Sequence, residues 1–426
     1  MTTAASGPDA AAQPRRTLGT ADAVVLGLGS MLGAGVFAVW SPAAELAGSG
    51  VLIALALAAA VAYANATSSA RLAAIYPESG GTYVYGRKRL GPFWGYLAGW
   101  SFVVGKTASC AAMALTVGSY AWPGHAHVAA VVAVAGLTAV NYAGVQKSAR
   151  LTRALVAVVL AVLAVVVLAA LAGGVATTDK LDAGSGPSWH GVLGGAGLVF
   201  FAFAGYARIA TLGAEVRDPA RTIPRAIGLA LGITVVVYAA VAVSGLLTLG
   251  SPGLADSAAP LHAVVEAGSW HRLAPVVAVG AAAAALGALL ALVLGVSRTV
   301  FAMARDGHLP RALSPVHPRF GVPHRAEVAV GAVVALLVTA LDLRGAIGFS
   351  SFGVLLYYAI ANASAATLTA AERRPPRWVP WIGGIGCLVL AFSLPLASVL
   401  SGAAVLTVGA AAYAVRQGRN RSAVSR

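Results

Sequence analysis

The sequence predicts an all-α membrane protein of about 12 transmembrane helices, and three observations carry that reading. Hydrophobic residues make up 59% of the 426 residues and charged residues 10%, with a mean hydropathy of +0.82, whereas ordinary globular chains are roughly a quarter charged. The apolar residues fall into runs of about 20, the length a helix needs to cross a bilayer. Lys and Arg collect in alternate connections, as the positive-inside rule requires of a multi-pass chain.

Residues 1–20 are small, polar and Pro-containing and lack the apolar core and cleavage-like site of a signal peptide, so they read as a disordered tail. The first apolar segment, 21–47, is interrupted by glycines in VLGLGSMLGAGVFAVW, Val25 to Trp40. Apolar runs at 51–72, 91–119, 127–145 and 153–174 supply four more segments. The sixth, 191–213, lies within GLVFFAFAGYARIATLGAE, which again carries small residues and Gly205 at mid-span. Segments at 225–249, 274–303, 327–342 and 346–370 follow. The last two, 378–395 and 397–415, leave only a tight turn at Leu394, Pro395 and Leu396.

A net charge of +15 invites a nucleic-acid reading, but its distribution answers it. With the amino terminus inside, 24 of the 29 Lys and Arg fall on the cytoplasmic side, and Lys180, Arg272 and Arg344 fall outside. The asymmetry places both termini in the cytoplasm of a multi-pass cell-membrane protein. Anionic membrane lipid, not nucleic acid, is the partner this charge implies.

A glycine break inside lipid is tolerated only where it is buried in protein or lines a polar cavity. Gly27, Gly29, Gly33 and Gly35 mark such a break in segment one, and Gly205 marks its counterpart five segments later. Interrupted helices in corresponding positions of two five-helix halves point to an inverted repeat with a binding site at mid-membrane. The domain reading is therefore a first repeat at 21–174, a second at 191–370, two additional helices at 371–416 and a cytoplasmic tail at 417–426. Close helix packing is the competing explanation of any one glycine.

Four ordered motifs carry a family resemblance: GSMLGAGVF at 29–37, YPESGGTYVYGRKRLGPFWGYLAGW at 76–100, FFAFAGY at 200–206 with EVRDPARTIPRAI at 215–227, and SRTVFAMARDGHLPRALSPVHPRFGVP at 297–323. In these the chain resembles the amino acid, polyamine and organocation (APC) transporter superfamily, bacterial amino acid permease type. The resemblance implies a 5+5 inverted repeat of LeuT-like fold plus two C-terminal helices. It also implies secondary active transport of an amino acid by alternating access. Helices 3, 4, 8 and 9 would form the scaffold, and 1, 2, 6 and 7 the moving bundle.

Mapped onto this chain, the resemblance sets a substrate carboxylate against the backbone N–H groups of Gly33, Ala34 and Gly35. A half-helix amino terminus suits an anion, because its donors are unpaired and its dipole is positive. The substrate's ammonium falls to the carbonyls of Met31, Phe201 and Ala204, with Tyr206 beside them. Phe201 matches an aromatic gate in relatives, and core packing is its plainer reading. In EVRDPARTIPRAI, Asp218 and Pro219 favour a turn and Pro224 suits the first turn of the next helix. In ARDGHLP a helix ending at Arg305 and Asp306 would be capped by Gly307, forming a structural cytoplasmic gate.

Two cations lie inside apolar segments. Lys106 is central in segment three, where a charge costs at least ~2.5 kcal/mol on insertion scales, so a functional role is the default. Three roles fit it: standing in for a sodium ion, which the resemblance implies for a helix 5 lysine that this chain lacks, contacting the substrate side chain, or pairing with carbonyls. Arg208, just past the second break, is a coupling or gating candidate expected to pair with that break or with an external acid such as Glu45, or simply to pack. The resemblance implies an acidic or small residue near 207, where Ala207 removes the candidate proton carrier, and all 14 acidic residues fall near segment ends or in loops. The electrostatics lean to neutral amino acids, although aromatic faces at Phe203, Tyr206, Tyr357 and Tyr358 suit a cation. Cationic amino acids or polyamines therefore stay open as substrates. A proton or an exchanged amino acid is the expected coupling partner, ahead of sodium.

A membrane enzyme would need a nucleophile, metal cluster or acid pair, and no HExxH, GxSxG or paired carboxylates occur. His125, His127, His308 and His317 lack ligand spacing, so no metal or other cofactor is expected. Cys110 and Cys387 read as small core residues. A channel or a non-transporting amino acid sensor is the remaining alternative.

Overall fold

The computed structural model describes residues 18–76, 80–144, 149–181, 188–210, 216–372 and 376–424. Residues 1–17 of the expected tail, and Pro77, Glu78, Ser79 and Glu215 of the motifs, lie outside them. Apart from an isolated parallel bridge between Leu18 and Val216, the described regular structure is helical.

The elements in chain order are α1 (Thr20–Met31), α2 (Gly35–Ala38), α3 (Trp40–Ala47), α4 (Val51–Ile75), α5 (Thr82–Arg89), α6 (Pro92–Ala121), α7 (Ala126–Tyr142), α8 (Ala149–Ala172), α9 (Trp189–Phe203), α10 (Ala207–Ala210), α11 (Pro219–Asp256), α12 (Pro260–Glu266), α13 (Ala274–Arg305), α14 (His324–Ala340), α15 (Leu343–Ala366), α16 (Trp378–Phe392) and α17 (Leu396–Val424). Ten helical stretches among the described residues are long and apolar enough to cross a membrane. The shorter α14 and α16, of 17 and 15 residues, bring the described helices of the membrane region to about twelve.

Local signals set several boundaries. Pro92 opens α6 directly after Gly91, whose φ of 107° only glycine adopts readily. Ser188 and Asp342 cap α9 and α15, accepting from Gly191 N at 3.0 Å and Gly345 N at 2.8 Å. Gly307 ends α13 with φ 74°, as its sequence predicts. The seventh segment departs from expectation. Pro219, not Pro224, takes the first turn of α11, so that helix starts six residues earlier and carries Pro224 in its interior. A bend at Gly250 (φ 71°) then divides its far end. Helices α5 and α12 are short connecting elements that a search for apolar spans passes over, and α17 carries helix through Val424 into the expected tail.

Helix α6 packs on α15, α13, α7 and α5, while α9 packs on α4, α3 and α15. The loops gather at two ends. One is the basic end, where Arg87 meets Asp306, Arg89 meets Glu372, Arg153 meets Asp22 and Arg416 donates to Gly307 O. There Arg217 N also donates to Leu18 O at 2.9 Å, joining the chain ahead of α1 to the approach to α11. At the opposite end Arg344 pairs with Glu45 and donates to Ala255 O at 2.5 Å, and Ser41 donates to the same carbonyl at 2.9 Å.

Candidate functional site

Helix α1 stops because the chain turns aside at Leu32, whose ψ of 40° takes it out of the helix. Its last helical bond runs from Leu32 N to Leu28 O at 2.7 Å, and bonding resumes when Phe37 N and Ala38 N each reach Ala34 O at 3.1 Å. Between these points the amides of Gly33, Ala34 and Gly35 donate to no backbone carbonyl among the described residues. Ala34 is fully buried and Gly33 and Gly35 are buried with it. Buried unpaired donors of this kind require a partner.

Helix α9 ends at Phe203, and the chain passes through Ala204, Gly205 and Tyr206 before α10 begins. Loose turns replace the helical ladder here: Ala204 N reaches Phe201 O at 3.4 Å and Tyr206 N reaches Phe203 O at 3.3 Å.

The two breaks touch backbone to backbone. A methyl group on Gly205 would stand 2.2 Å from Ser30 O, and one on Gly35 would stand 2.7 Å from Ala202 Cα. Both glycines are thus required by close approach. Gly27 and Gly29 serve packing, against Ile209 and against Thr152 and Val156.

The structure brings Met31, Gly33, Ala34, Gly35, Phe201, Ala204 and Tyr206 into this one junction, with Lys106 reaching it from α6. Met31, Ala204 and Tyr206 are 1%, 3% and 0% exposed. Lys106 is buried and donates from Nζ to Ala204 O at 3.4 Å. Tyr358 donates to the same oxygen at 3.3 Å, and its ring lies 5.1 Å from that of Tyr206. Of the three roles open to Lys106, pairing with a carbonyl is the one displayed here.

Tyr238 of α11, completely buried, is the residue the sequence reading missed. Its hydroxyl lies 2.6 Å from Met31 O and 3.0 Å from Ala202 O, one carbonyl from each broken helix. With a single proton, it shares its donation between them. A lone tyrosine in the apolar run ITVVVYAAV was the available signal, because a buried phenol usually needs a polar partner.

The backbone amide of Arg208 donates to Gly205 O at 3.0 Å, at the break itself. The residue is exposed on α10, and Glu45, one of the partners expected for it, pairs with Arg344. Among the described residues Glu327 is the one acidic side chain that is wholly buried. It belongs to α14, which packs on α6, α7 and α13, away from the breaks.

At the basic end the α13 cap meets α5. Tyr83 donates to Asp306, and His308 Nδ1 lies 2.9 Å from the Tyr83 hydroxyl. With the hydroxyl proton on Asp306, Nδ1 carries the hydrogen and donates. Burial, reinforced by the Asp306 bond, pushes the Tyr83 phenol above its ordinary range, and burial holds the His308 imidazole below its own. Glu372 is held down to about 2 by its hydrogen bond from Arg89, with further bonds from Thr369.

Residues 18–414 match a family model described as amino acid permease. The chain is 67% identical over 403 residues, 95% of its length and 92% of the relative's, to an uncharacterized transporter of Mycobacterium tuberculosis. It is 26% identical to a branched-chain amino acid permease of Bacillus subtilis, covering 94% of this chain and 92% of that one. It is 30% identical to cationic amino acid transporter 4 of Homo sapiens, covering 85% and 61%.

Proposed function

Because the chain belongs to the amino acid permease family of the APC superfamily, we propose that it moves neutral amino acids across the cell membrane by sodium-independent alternating access. The family makes it a transporter with many apolar helices in the membrane. The observation that supports the finer reading is the junction of two broken helices, which holds unpaired amides at 33–35, donors suited to a carboxylate, and the carbonyls of Met31, Phe201 and Ala204, acceptors suited to an ammonium.

The buried cation Lys106 and the absence of acidic side chains at the junction, among the described residues, favour a neutral side chain over a cationic one. The names of the relatives point both ways, since one denotes a branched-chain and another a cationic substrate. A cationic substrate is the second reading, supported by the neighbouring rings of Tyr206 and Tyr358, 5.1 Å apart between centroids.

The coupling partner is a proton or a counter-transported amino acid. Phe201, 8% exposed at the junction, closes over the substrate. The two five-helix repeats supply scaffold and moving bundle, and the basic end with both termini faces the cytoplasm. Uptake of neutral amino acids into proteoliposomes tests the proposal: it persists when sodium is replaced by choline, and dependence on sodium overturns it.

A further inference from the structure

We propose that Lys106 is an internal ligand of the paired breaks: in the substrate-free protein its ammonium occupies the Ala204 carbonyl that a substrate's ammonium must take. The inference rests on the reading of the junction as an amino acid site, and deepens it.

A carbonyl released by a helix break in a buried site needs a donor. Tyr358 already supplies one to Ala204 O, at 3.3 Å. A neutral hydroxyl therefore meets the backbone's need, and the second donor, at 3.4 Å, is a buried ammonium that is costly at this depth. Its three donors find one described acceptor, Ala204 O. A cation held on a break carbonyl reproduces the charge and donor type of an amino acid's ammonium. It also comes from a different helix, since Lys106 belongs to α6 and Ala204 follows α9, with α15, which carries Tyr358, packed on both.

A self-liganded site fixes the sign of a mutation. If Lys106 held the substrate's carboxylate or side chain, removing its charge would weaken binding. If it competes with the substrate's ammonium, removing its charge strengthens binding, because the competent form no longer has to be freed first.

The test compares wild type, Lys106→Met, which keeps the length without the charge, and Lys106→Ala in purified protein. Equilibrium binding of L-leucine to Lys106→Met is expected to tighten roughly tenfold. Propylammonium carries the three carbons and the nitrogen that Lys106→Ala deletes, and is expected to raise the unfolding temperature of that variant and not of wild type. Equal or weaker leucine binding by Lys106→Met overturns the proposal, as does propylammonium acting alike on Lys106→Ala and wild type. If no amino acid binds wild type, the amino acid reading fails by itself, and the propylammonium comparison still decides whether Lys106 serves the Ala204 carbonyl as a replaceable cation. If Lys106→Ala does not fold, the Lys106→Met comparison decides.

Discussion

The hydroxyl of Tyr238 does for the two broken helices what no backbone group can, since it reaches one freed carbonyl on each. Tyr238→Phe removes only that hydroxyl and leaves the ring packed against Trp40 and Phe203, 6.1 and 5.0 Å away between centroids. Leaving buried carbonyls short of a donor costs about 1–3 kcal/mol. The variant is expected to fold with a lowered unfolding temperature and to transport several-fold more slowly, as read by thermal unfolding and initial uptake rates. Lys106 was legible in the sequence because a charge in an apolar run stands out by itself. The role of Tyr238 was not, because its partner at Met31 is a carbonyl 207 positions away.

Among the helices, the breaks are held by bare backbone. Gly205→Ala would drive a methyl group against the Ser30 carbonyl, which as backbone cannot swing aside. Gly228→Ala in α11 meets nothing within 4 Å and is the matched control. Folded yield and uptake are expected to fall sharply for the first and to stay near wild type for the second, by size-exclusion recovery and proteoliposome assay. Most membrane helices were legible from apolar run length, and the breaks from their glycines. The early start of α11 was not, because Pro219 and Pro224 both suit a first turn and only the fold selects between them. Helices α5 and α12 escaped because short connecting elements carry no span-length apolar signal.

Over the whole molecule, each end is tied by side chains. The Glu45–Arg344 pair and Ser41 join α3, α11 and α15 at the opposite end, while Tyr83, Arg87 and Asp306 join α5 to α13 at the basic end. Alternating access requires such ties to open in turn. The Arg89–Glu372 pair gives the basic end a defined acid response. Glu372 sits at about 2 in the folded protein against an ordinary 4.5. The folded state therefore binds this proton less readily, and the stabilisation is full above about 4.5 and is lost as pH falls toward 2. Glu372→Gln is expected to flatten the unfolding temperature across that window and to leave uptake near neutral pH unchanged. Cysteines placed near Leu18 and at Gly418 are expected to react with an impermeant thiol reagent only from the cytoplasmic side.

The central claim is that the two breaks hold both charged ends of one amino acid. Thermal unfolding of the purified protein against the twenty amino acids, together with the N-acetyl and amide forms of each that stabilises it, tests this most directly. The account predicts that at least one neutral amino acid raises the unfolding temperature and that blocking either of its ends abolishes the effect. Equal stabilisation by a blocked form, or by a diamine with no carboxylate, would contradict it.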